Sequence, residues 1–71
     1  MNTWHEDTEQ IGKSILRKVD GVTLATFSTQ MAASHAWAML RAGYSKSSQW
    51  ATPGLSTAGD RAIFDALAAR P

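Results

Sequence analysis

Cysteine is absent from all 71 residues. No disulfide and no thiolate zinc site can staple the fold, so packed side chains must hold it together. A domain of this size buries only about 60% of its unfolded surface, which leaves a thin stability margin. No apolar run approaches the roughly 18 residues that a membrane span requires. The start of the chain lacks the basic residues and apolar stretch of a secretory leader. A soluble, cytoplasmic protein is expected, with no membrane partner. The lack of cysteine agrees with a reducing compartment.

Carboxylates are missing from the middle of the chain. From Gly21 to Gly59 there is no Asp or Glu, while Arg41, Lys46 and His35 are present and Ser and Thr are frequent. A surface without carboxylates approaches phosphates without repulsion, and hydroxyls can bond them. The same pattern also describes a neutral surface rich in Ser, Thr and Ala. Residues 1–20 differ, with four acids (Glu6, Asp7, Glu9, Asp20) against three bases (Lys13, Arg17, Lys18). The net charge of +1 says nothing by itself about nucleic acid.

Catalytic chemistry is also missing. There is no cysteine nucleophile, and His5 and His35 stand far apart without a nearby serine–acid pattern. Gly12-Lys13-Ser14 echoes the end of a phosphate-binding loop, but Asp7 falls where that motif requires its first glycine. His5-Glu6-Asp7 lacks the further ligands of a metal site. No enzymatic activity, cofactor or metal is expected.

What is present is bulk for one core: three Trp, two Phe, one Tyr and three Met. A single domain over residues 1–71 is expected. Ile11, Ile15, Leu16 and Val19 fall at i, i+4, i+5 and i+8, and acids precede bases, which predicts a helix over residues 3–19. Gly12 weakens its interior, so residues 1–8, with Trp4 and His5, are read as a flexible arm. Asp20-Gly21 ends this helix.

The stretch Thr23–Tyr44 organises the rest. Val22-Thr23-Leu24 fits a short strand or a helix cap. With Thr23 as N-cap, Leu24, Phe27 and Met31 form an apolar stripe. A turn at Met31–Ala33 then leads to a second helix with Trp37, Leu40 and Tyr44 on its apolar edge and Gly43 at its end. An unbroken helix over residues 24–42 is the alternative. Ser45–Gly54 reads as a short ribbon or loop containing Trp50 and Thr52, with Pro53-Gly54 as a turn. Thr57 precedes Asp60 at capping-box spacing, and Ile63, Phe64 and Leu67 give a last helix its buried face.

The order helix, short helix, turn, helix, ribbon, helix resembles the bacterial winged helix-turn-helix transcription regulators. VTLATFSTQMAAS is similar to the first helix and turn of their motif, and LSTAGDRAIFDALAA at 55–69 is similar to the stretch after their wing. Together the two strings, of 13 and 15 residues, cover 28 of the 71 residues. The fold class implied is mainly α with a small β-ribbon: a compact domain of three to four helices of the winged helix-turn-helix type. An ungapped match places Arg41 where the family buries an aliphatic residue. A turn one residue shorter buries Trp37 and Leu40 and faces Ser34, Ala38 and Arg41 outward.

Three functions compete. The first is a small transcription regulator, possibly homodimeric, that binds duplex DNA. Ser34, His35 and Arg41 would then face bases or phosphates, and Lys46, Ser47, Ser48 and Gln49 the backbone. Few cations limit its affinity, so dimerisation is expected to help. The second is a small, phage-like protein-binding modulator of host transcription machinery such as RNA polymerase, docking through Trp4, His5, Glu6 and Asp7. The third is a helical assembly domain with no nucleic-acid role.

Overall fold

The computed structural model describes residues 4–49 and 55–70. A 3-10 turn at Trp4–Asp7 leads into three strands, β1 (Thr8–Ile11), β2 (Ser14–Arg17) and β3 (Thr23–Thr26). Two helices follow, α1 (Gln30–Arg41) and α2 (Ala58–Ala68), with a 3-10 turn at Ser47–Gln49 between them. The strands form an antiparallel meander in the order β1-β2-β3. Both helices pack against this sheet, α1 on β1 and β2, and α2 on β3. The chain is therefore a small α+β domain.

The winged helix-turn-helix architecture expected from the sequence is corrected by this arrangement. The predicted helix over residues 3–19 is a hairpin. Gly12 has φ of 59°, and among the described residues no non-glycine residue has positive φ. Gly12-Lys13 is thus a two-residue connection with glycine in the first, left-handed place, the hairpin-closing II′ pattern. Gly21, at φ 71°, closes the β2–β3 turn, where its N–H donates to the Arg17 carbonyl at 2.8 Å. The spacing of Ile11, Ile15 and Val19 suits a helix as well as a hairpin, and the turn glycines decide between them. Val19, expected on the buried face, is 76% exposed.

Thr23–Tyr44 is likewise one strand and one helix rather than two helices. Thr29, not Thr23, is the N-cap of α1, and its side chain accepts the Ala32 N–H at 3.0 Å. The predicted Leu24–Phe27–Met31 stripe breaks up, for Phe27 is buried while Met31 is 70% exposed. Ser45–Gln49, where the wing was expected to begin, contains only the 3-10 turn. Trp50, Thr52, Pro53 and Gly54 lie outside the described residues.

Other expectations match the structure. α1 ends on a Schellman motif: Gly43, at φ 93°, donates its N–H to Leu40 and Tyr44 donates to Met39. Thr57 caps α2, accepting the Asp60 N–H at 3.1 Å. In α1 the outward Ser34, Ala38 and Arg41 are exposed, Leu40 is buried and Trp37 is half-buried.

The core lies between sheet and helices. Ile15, Phe27, Ala33, Ala36, Met39, Leu40, Phe64 and Leu67 are all buried within it. On the covered face of the sheet, Thr8 is buried; its hydroxyl donates to the His5 carbonyl and accepts the Trp37 indole N–H at 3.0 Å. The strand pairing puts Glu9 opposite Leu16, Ile11 opposite Ser14, and Ser14 opposite Thr26. Cross-strand partners share a face, so these residues form the open side of the sheet.

Candidate docking groove

The structure scatters the residues expected to contact DNA. Ser34 and Arg41 lie on the exposed face of α1, and the Arg41 guanidinium stacks 4.9 Å from the Trp37 ring centre. His35 is half-buried on the same helix. Ser47 is engaged elsewhere: its N–H and hydroxyl donate to the Asp65 carboxylate at 2.7 and 3.2 Å. Lys46 is exposed just before the 3-10 turn, which Gln49 ends. These residues do not converge on a helix presented by a helix-turn-helix.

The residues expected to form a protein-binding arm are docked on the domain. Trp4 packs against the core, and its indole N–H donates to the Arg70 carbonyl at 3.2 Å. His5 meets the Trp4 ring edge-on at 5.9 Å. Glu6 is exposed, while Asp7 is half-buried and its carbonyl accepts the Lys18 N–H.

A different feature brings sheet and helix residues together. β3 is an edge strand, and its pairing slips between Ile15↔Ala25 and Leu16↔Thr23. Leu24 is thereby the extra residue of a bulge, a device that re-aims a side chain. It turns into the space beside α2. On α2, Ile63, Ala66 and Leu67 fall at i, i+3 and i+4, a single helical stripe, and Arg70 follows just beyond the C-cap Ala69. This stripe and Leu24, Ala25 and Thr26 line a groove of about 280 Å³. A second hollow of about 170 Å³ continues it, lined by Trp4, Arg17, Leu24 and Arg70. Leu24 and Arg70 border both.

The groove has an electrostatic direction. Its walls are apolar along β3 and α2, no carboxylate among the described residues lines either hollow, and both of its cations stand at one end. Arg17 binds Asp20 at 2.8 Å. That hydrogen bond raises the guanidinium pKa and lowers the carboxyl pKa, with a further lowering of Asp20 by the Val22 N–H. Arg70 makes no ion pair among the described residues.

The opposite end of α2 is closed. The Asp60 carboxylate accepts the Ser28 N–H at 2.9 Å and the Ser28 hydroxyl. These bonds, the hydroxyl first, hold its pKa below the usual carboxylate range against the opposing effect of burial. Asp60 thus joins the start of α2 to the segment entering α1.

Of the residues lining the two hollows, Trp4 alone was assigned a binding role from sequence. Ile63 and Leu67 were read, with Phe64, as the buried face of the last helix, and the partner strand was read as helix. No protein-family model, curated protein or solved structure matches the chain. No helix among the described residues is long and apolar enough to cross a membrane.

Proposed function

We propose that this chain is a small protein-binding module that engages its partner through the β3–α2 side. The observation that carries this reading is the apolar groove between an edge strand and a helix, with Arg70 at one end. An edge strand beside a helix is a recurring site for capture of an extended segment, because main-chain bonding and side-chain pockets act together. The duplex-DNA reading draws less support. Its helix-turn-helix geometry is lost, Arg41 stacks on Trp37, and Ser47 is held by Asp65.

The test is capture from lysate by the tagged full chain, with and without nuclease. The expected result is a protein partner, identified by mass spectrometry with RNA polymerase subunits among those scored. Its capture should survive nuclease and the double change Arg41→Ala plus Lys46→Ala, and be lost with Ala66→Arg. Capture abolished by nuclease and by the Arg41/Lys46 change, yet indifferent to Ala66→Arg, would restore the DNA reading.

A further inference from the structure

Resting on the protein-binding reading above, we infer that the groove takes an extended segment of another protein carrying an apolar side chain and, two positions along, an Asp or Glu. The apolar side chain fills the hollow between β3 and the α2 stripe. The carboxylate reaches Arg70 in the adjoining hollow, with Arg17 beside it.

Three observations, with the geometry of an extended chain, specify this occupant. The first hollow is walled by Leu24, Ala25, Ile63, Ala66 and Leu67, which suit an aliphatic group. The second holds Arg17 and Arg70 beside Trp4, and no carboxylate among the described residues lines it. The two share Leu24 and Arg70, so they are immediate neighbours. In an extended chain, alternate side chains project the same way about 6–7 Å apart. One strand thus serves both hollows with residues i and i+2, whereas consecutive residues would point to opposite sides.

The charges settle the sign of the second residue. Asp20 already satisfies Arg17 at 2.8 Å, and Asp7 acts on the same guanidinium more weakly. Arg70 lacks such a partner among the described residues, and its planar fork suits a carboxylate in two-point contact. A Lys or Arg at the ligand's second position would meet two guanidinium groups and be rejected.

The experiment uses the full chain and a displayed library of random nonapeptides. Enriched sequences should show an aliphatic residue two positions from an Asp or Glu. On titrating the leading synthetic peptide, amide shifts should concentrate at Thr23–Thr26 and Ile63–Arg70. Replacing the peptide's acid by its amide should weaken binding about tenfold, as loss of a hydrogen bond to a charged group implies. Arg70→Gln should weaken it to a similar degree. Combining the two changes should cost no more than either alone, since both remove one interaction. Arg70 is exposed, and an unchanged amide spectrum of the free variant verifies its fold.

Several outcomes overturn the inference while leaving the protein-binding reading intact. These are enriched peptides without the acid, dependence on the peptide's free C-terminus alone, additive effects of the paired changes, or shifts centred on Glu9, Ile11 and Leu16 of the open sheet face. Enrichment of no sequence overturns both.

Discussion

The two ends of α2 are built to opposite purposes. At its start, Asp60 is only 3% exposed; its N–H is taken by Thr57 and its carboxylate by Ser28. The Asp60 carboxylate and the Ser28 donors are used inside the molecule. At its other end the Ile63–Ala66–Leu67 stripe is only partly covered by β3, and Arg70 has no ion-pair partner among the described residues. The contrast teaches where capacity for a ligand resides. A junction whose donors and acceptors are internally satisfied stabilises the fold and has nothing left to offer. A half-covered apolar stripe that ends near a cation with no ion-pair partner among the described residues contributes less to stability and retains the means to bind.

The comparison can be broken by substitution, beginning where the effect is largest. Phe64 is fully buried at the centre of the core. Phe64→Ala should destabilise by about 3–5 kcal/mol. In so small a domain that removes most of the folded population at room temperature, read by far-ultraviolet circular dichroism. Asp60→Ala should cost about 2–3 kcal/mol in urea unfolding, because the Ser28 N–H and hydroxyl lose their shared acceptor. A cost close to zero would show that the closed end is not the joint described.

Acid should separate the two ends as well. The folded-state pKa of Asp60 lies below its unfolded value. Its contribution is therefore fully present above the unfolded pKa of about 3.9 and is lost as pH falls through the lower folded value. The unfolding midpoint should drop below about pH 4. Asp20 is also lowered and contributes in the same direction. Asp60→Asn should flatten the decline only in part, and an unaltered pH profile in that variant would assign the acid sensitivity elsewhere.

A smaller effect is expected at the buried Thr8 hydroxyl. Trp37→Phe removes the indole donor but retains an aromatic ring, and should cost about 1 kcal/mol. At the open end the sign of the comparison reverses. Ala66→Arg and Arg70→Gln should shift stability by less than about 0.5 kcal/mol. Both positions are exposed, and the same changes should abolish and weaken partner binding respectively. A large loss of stability from either would mean that this end is as structural as the other.

Much of the helical half was legible beforehand because its signals are local. Thr57 and Asp60 lie within one turn, Ile63, Phe64 and Leu67 follow the helical period, and Gly43 supplies the left-handed residue that ends α1. The outward set Ser34, Ala38 and Arg41 follows from the same period. The sheet was missed because its evidence is distributed. Four-residue strands have little periodicity of their own, and β preference expresses packing against cross-strand neighbours. Ile11 and Ile15, one helical turn apart in sequence, instead lie on opposite faces of a hairpin. The resemblance of VTLATFSTQMAAS to a helix-turn-helix rested on apolar spacing that strand β3 followed by α1 satisfies equally well.

By itself, then, the sequence determined that the core must be held by side chains without disulfides, where two helices stop, how α2 begins, and which side of α1 turns outward. These depend on contacts within a few residues, where propensity, capping and glycine geometry act directly. Only the tertiary structure decided that residues 8–26 form a meander, that Asp60 reaches Ser28, and that Leu24 and Arg17 meet the α2 stripe and Arg70 around one groove. The meander closes through short turns, but the Asp60–Ser28 and groove pairings each span a long loop of chain. Such contacts become favourable only once the intervening segments have packed, so no short stretch of sequence encodes them alone.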